Sequence, residues 1–124
     1  MISGVSAILL ISPSASKLAD FYRDAIGLPL EDEVHEGIPL HYGCEMGPVH
    51  FAIHPSESWP GEIHKEPLSP VIVLETSDVR AAHQRLLDAG IAASPPYDHG
   101  FGILTSFRDP DGNNVQLMEL PKTE

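Results

Sequence analysis

The second half of this chain repeats the first. Leu18, Phe21, Tyr22, Ala25 and Ile26 recur 61 positions later as Val79, Ala82, His83, Leu86 and Leu87. Val49-His50-Phe51 recurs 66 positions later as Val115-Gln116-Leu117. A repeat of this size is one supersecondary unit used twice, and such a unit seldom buries its apolar surface alone.

The elements run in the same order in both halves. Val5–Ile11 is a short aliphatic run stopped by Ser12-Pro13-Ser14, which predicts a buried strand. The apolar stripe from Leu18 to Ile26, with Ser14 as N-cap and Gly27 as stop, predicts a helix over 15–26. Leu28-Pro29-Leu30 leads into a second strand expected to dissolve in the acidic patch Glu31-Asp32-Glu33. Ile38–Cys44 and Val49–His54 flank Glu45-Met46-Gly47-Pro48 and predict a hairpin. In the second half Val71–Leu74 is a strand, and Ser77 and Gly90 bound a helix over 78–89. Ile91–Ser94 predicts a short strand ended by Pro95-Pro96, and Phe101–Phe107 and Asn114–Leu120 form a hairpin around Asp109-Pro110-Asp111-Gly112.

The expectation is an α+β chain forming one domain, 1–124: a βαβββ module over 5–54, a Pro-rich linker over 55–69 and a second module over 70–120. One helix covers one face of each sheet, so the other face needs a partner, from the same chain or from a second copy.

Composition narrows what such a pair of modules can do. Seven Lys and Arg against eighteen Asp and Glu give a net charge of −11. That sign repels phosphate backbones and anionic headgroups, so neither nucleic acid nor membrane is an expected partner. No apolar run approaches the roughly 18 residues of a membrane span. Met1–Ile11 lacks a basic n-region and a small-residue cleavage site and reads as mature protein. The single cysteine, Cys44, has no internal partner, which fits a reducing, cytoplasmic setting.

Two motifs carry a family resemblance: Phe21-Tyr22-Arg23-Asp24-Ala25-Ile26-Gly27-Leu28 after the first strand, and Phe107-Arg108-Asp109-Pro110-Asp111-Gly112-Asn113 before the last. With their separation, they resemble the vicinal oxygen chelate superfamily of glyoxalase I, bleomycin-resistance proteins, fosfomycin-resistance enzymes and extradiol dioxygenases. The resemblance covers Val5 to Leu120. It implies paired modules forming a U-shaped cleft, usually in a dimer. It also implies four metal-ligand positions, one on the first and one on the last strand of each module, commonly His, Gln or Glu. Here these positions fall on Ala7, His50, Val71 and Gln116. Ala7 and Val71 offer no donor, so no divalent metal or other cofactor is expected.

Strand alternation places Val49, Phe51 and Ile53 under the helix and His50, Ala52 and His54 on the open face. In the last strand Val115 and Leu117 face the helix, leaving Gln116 and Met118 open. Leu9, Ile11 and Val73 belong to the same apolar lining. His41 comes opposite His50 if the hairpin turns at Glu45-Met46, which would gather His41, His50 and His54 on one sheet. No spacing sets a carboxylate beside them, so they read as a polar lining more readily than as an atypical metal set. Glu75 shares a face with Val71 and Val73. Apolar walls there would raise its pKa and make it a general-base candidate, with His50 or His54 as partner. Trp59, the only tryptophan, lies in the linker, where it would stack on a ligand or plug the module junction; Tyr42, Tyr97 and Phe101 are further walls.

Two functions follow. The first is a glyoxalase- and bleomycin-resistance-like homodimer binding a small organic molecule, cationic or aromatic, without the family's divalent metal. Its expected lining is Ala7, Leu9, His41, His50, Ala52, His54, Trp59, Val71, Val73, Glu75, Gln116 and Met118. The alternative is a divergent lyase, isomerase or dioxygenase-type enzyme using acid–base chemistry through His50, His54 or Glu75, or an atypical metal site.

Overall fold

The computed structural model describes Met1 and residues 5–35, 38–58, 71–98 and 102–121. The chain divides into two compact units, Met1–Lys65 and Glu66–Glu124. The first contains β1 (Ala7–Ser12), α1 (Ala15–Asp20) with a π-helical continuation over Phe21–Ile26, then β2 (Glu31–His35), β3 (Ile38–Met46) and β4 (Val49–Pro55). The second contains β5 (Ile72–Glu75), α2 (Val79–Asp88), β6 (Tyr97–Asp98), β7 (Ile103–Arg108) and β8 (Asn114–Glu119).

The two sheets share one topology. Their strand orders are β1-β4-β3-β2 and β5-β8-β7-β6. In each, the first strand runs parallel to the last and the other pairings are antiparallel. The repeat extends to register: Ala7 stands opposite His50, and Val73, 66 residues on, stands opposite Gln116. This is the α+β fold of two tandem modules that the sequence predicts.

In the first unit the helix buries Leu18, Ala19 and Tyr22 against Phe51 and Ile53, none more than 1% exposed. Tyr22 and Phe51 pack as a tilted pair with ring centroids 5.2 Å apart. The helical span predicted over 15–26 holds, but its second half is π-wound: Gly27 N–H donates to Tyr22 C=O at 3.0 Å, five residues back. Gly27 then takes φ 93°, a left-handed stop that suits glycine. In the second unit Val79 and Leu86 of α2 pack with Phe107, Val115 and Leu117.

Four local expectations are corrected. Ser14 makes no side-chain cap; its N–H instead donates to the buried Ser12 Oγ at 3.0 Å. The N-cap of α2 is Asp78, not Ser77, with its carboxylate accepting from Ala81 N–H at 3.0 Å. The acidic run does not end a strand. Glu31–His35 is β2 itself, an edge strand, where charged side chains keep the open ladder in water. Ile91–Ser94 is not a strand; β6 follows the prolines, whose nitrogens cannot donate to a ladder. Ser94 nonetheless joins β7, donating its N–H to Ser106 C=O and accepting from Ser106 N–H through Oγ, each at 2.9 Å.

The loop from Asp109 to Asn113 is held by one carboxylate. Asp109, 5% exposed, accepts from Asp111 N–H, Asn113 N–H and Asn113 Nδ2 at 2.8–3.0 Å. Of the predicted linker, Pro55 ends β4 and Ser56–Ser58 form a 3₁₀ turn; the remainder lies outside the described residues. No helix among the described residues is long and apolar enough to cross a membrane.

Candidate functional site

Phe51 and Ile53 point into the core of the first unit, so alternation along β4 turns His50, Ala52 and His54 to the opposite face. Their partners on β1 are Ala7, Leu9 and Ile11 respectively. This face therefore has an aliphatic side along β1, where Leu9 is 41% exposed. Its other side is polar and titratable.

The polar side is built by register. The hairpin turns at Gly47 and Pro48, which sets Glu45 opposite His50, and Glu45 Oε1 lies 2.5 Å from His50 Nδ1. The expected pairing of His41 with His50 is thus corrected. His41 instead stacks on His54, centroids 4.3 Å apart and rings 12° from parallel. Glu33 stands opposite His41 across the β2–β3 ladder. One of its carboxylate oxygens lies 3.4 Å from His41 Nε2 and the other 3.7 Å from His50 Nε2. It reaches both by lying over Gly43, where an added Cβ would collide with Glu33 Oε1. The His41 side chain is almost wholly enclosed. Loss of solvation holds the His54 imidazole below its ordinary pKa. His41 and His50 push the same way, and Glu33 opposes them.

His41, His50 and His54 do gather on one sheet face. Sequence reasoning missed the two carboxylates beside them. Glu33 was hidden by reading the acidic run as a strand end; as a strand, its alternation sets Glu31 and Glu33 on one face. Glu45 was hidden by placing the turn two residues early.

In the second unit Val73, Gln116 and Ser106 form one row across the sheet, and Glu75, Met118 and Leu104 the next. Gln116 Nε2 donates to Ser106 Oγ at 3.3 Å. Val71 precedes β5, so Val73 is the residue facing Gln116; both valines are nearly half exposed. Glu75 is exposed at the end of β5. Tyr97 is about half exposed. Tyr42 alternates with His41 onto the helix side, where it lines a separate hollow of about 520 Å³ with Lys17, Asp20 and Leu40. Trp59 and Phe101 lie outside the described residues.

The family's metal does not fit the positions the resemblance assigns. Of Ala7, His50, Val71 and Gln116, two are aliphatic, and Val73 offers no donor in place of Val71. That leaves His50, held by Glu45 through Nδ1, and Gln116, held by Ser106 through Nε2, as the donors among the four.

Comparison with known proteins agrees with this architecture. Among curated proteins, none matches the chain. Of solved structures, TnmS3, an antibiotic-binding protein from Streptomyces sp. CB03234, superposes with a TM-score of 0.75 at 24% identity, covering 97% of this chain and 98% of that one. Lactoylglutathione lyase from Agrobacterium tumefaciens gives 0.68 at 18% identity, covering 95% and 94%. A family member from Sphaerobacter thermophilus DSM 20745 gives 0.69 at 23%, covering 95% and 98%. The model of the Glyoxalase/Bleomycin resistance protein/Dioxygenase superfamily matches residues 4–117. This chain belongs to that superfamily.

Proposed function

We propose that this protein binds a small organic molecule, cationic or aromatic, on the open faces of its sheets, without a divalent ion at the family's four positions. The observation that carries this reading is the pairing of an aliphatic with a polar residue in both units: Ala7 opposite His50 and Val73 opposite Gln116. Each pair is too poor in donors for a metal and suited to an apolar guest carrying one polar group. The exposed Leu9 and Val73 supply contact area, and a net charge of −11 favours a cation over an anion. The antibiotic-binding description of TnmS3 supports the same reading.

The test is a thermal-shift and calorimetric screen of planar aromatic amines, with neutral and anionic analogues of the same ring systems, in a metal chelator. Saturable binding of the cationic compounds, weakened by Leu9→Asp and Val73→Asp, supports the proposal. Absence of binding, or binding only after a divalent ion is added back, overturns it.

One observation favours a second reading, acid–base catalysis through His50: a carboxylate on Nδ1 orients the ring and leaves Nε2 to exchange protons. That reading requires a guest to be converted, so recovery of every bound compound unchanged counts against it.

A further inference from the structure

We propose that the hollow on the helix side of the first unit is a second binding site, built for a small zwitterion: an α-amino acid with an apolar side chain. It is a different site from the open face, because Leu40 and Tyr42 alternate with His41 along β3 and turn away from the histidines. Its lining comes from the first unit alone: the start of α1, β3, the end of β4 and the 3₁₀ turn that follows. Its volume of about 520 Å³ falls within the roughly 300–1,000 Å³ of small-molecule sites.

Three observations point to it. The first is the floor. Tyr42 is only 7% exposed, and its hydroxyl has no hydrogen-bond partner among the described residues. Unlike the sealed His83 Nε2 of the second unit, this hydroxyl keeps an opening to solvent, and the hollow that Tyr42 lines supplies it. A buried phenol ordinarily bonds a protein group. One left unpaired at the floor of a hollow is placed to bond what enters it, and it can donate to a carboxylate.

The second is charge of both signs. Lys17 and Asp20 are neighbours on one helix face, yet Asp20 pairs with Arg23 at 2.9 Å. Lys17 makes no ion pair among the described residues, and neither does Glu57, which the 3₁₀ turn brings to the same hollow. An ammonium and a carboxylate are thus both offered to one ligand, whose own carboxylate and ammonium would answer them. A ligand of one sign would use one group and be opposed by the other.

The third is apolar surface between the charges. Leu40 is 41% exposed and lines the hollow with Pro55. An aliphatic or aromatic side chain laid on them removes apolar area from water.

The test is calorimetric and NMR titration of the full chain with L-leucine, leucine methyl ester, which lacks the carboxylate, and N-acetyl-leucine, which lacks the ammonium. Leucine should bind once per chain, and each derivative should bind about 10-fold more weakly or worse. Lys17→Gln should abolish the preference for leucine over its methyl ester, and Glu57→Gln the preference over N-acetyl-leucine. Both residues are exposed, so these variants fold. Tyr42→Phe should weaken leucine binding by about 10-fold without lowering the urea midpoint, because its hydroxyl has no partner in the protein to lose. Leu9→Asp with Val73→Asp, which removes guest capture on the open faces, should leave leucine binding at the wild-type level, so the two sites succeed or fail separately. No saturable leucine binding at millimolar concentration overturns the proposal, as does equal affinity for the three compounds. Loss of leucine binding in a folded Leu9→Asp, Val73→Asp protein also overturns it, by placing the ligand on the other face.

Discussion

Glu45 contacts His50 because the β3–β4 hairpin turns two residues later than the sequence suggests. Moving the turn by two residues moves every cross-strand partner by four, from His41 to Glu45 for His50, and leaves each side chain on its own face, because the period of a strand is two. His41 therefore shares a face with His50 as expected, yet its ring partner is His54 and its carboxylate neighbour is Glu33. The position of the turn thus sets which groups meet at the site and leaves the face they share unchanged.

The Tyr22–Phe51 contact should dominate the stability of the first unit. Both rings are at most 1% exposed and their centroids lie 5.2 Å apart. Phe51→Ala leaves a ring-sized void between helix and sheet and should cost about 3–5 kcal/mol, read as a fall in the urea midpoint with an unchanged slope.

Capping of α2 separates two adjacent residues. Asp78→Ala removes the acceptor of Ala81 N–H and should cost about 1 kcal/mol. Ser77→Ala, at the exposed residue before the cap, should lie within about 0.5 kcal/mol of wild type. Chemical denaturation of the two variants decides between them, and a larger loss in Ser77→Ala contradicts the assignment.

The elements legible in the sequence were those with two independent signals. The helix at 15–26 has both an apolar stripe and a glycine stop, and both are present in the structure. The repeat set the sheet order twice over, because equal patterns bury equal faces. What stayed hidden depended on single signals. Charge disguised β2, since an edge strand needs few apolar residues. Ser77 and Asp78 are both good caps, and only backbone geometry chooses between them. Pairing of Val73 rather than Val71 with Gln116 is a matter of register, which apolar runs of valine and isoleucine do not encode.

Cys44 should be a slow thiol with a signature at high pH. Loss of solvation pushes its pKa up, and the negative charges of Glu45 and Glu33 add to the shift. Below the unfolded-chain value of about 8.5, the thiol is protonated in both states and contributes no pH dependence. Above it the unfolded chain ionises first, so stability falls as pH rises towards the folded value. The urea midpoint should therefore decline more between pH 8 and 10 in wild type than in Cys44→Ala. Alkylation of folded protein should lag far behind that of unfolded chain. Equal labelling rates contradict the assignment.

Assembly into a homodimer is the last expectation, and it follows from the open sheet faces. Leu9 is 41% exposed, Val71 46% and Val73 48%, all on faces opposite their helices. Aliphatic strand faces of this kind seldom stay in water in a stable protein. Covering them with a second copy gains about 25 cal/mol for each Å² of apolar surface removed from water, and interfaces of roughly 1,600 Å² sustain stable dimers. Light scattering at micromolar concentration should give twice 13.4 kDa. Leu9→Asp combined with Val73→Asp should shift the population towards the single-chain mass if these faces form the interface. A wild-type mass of 13.4 kDa rejects the dimer and leaves the open faces to be covered within one chain.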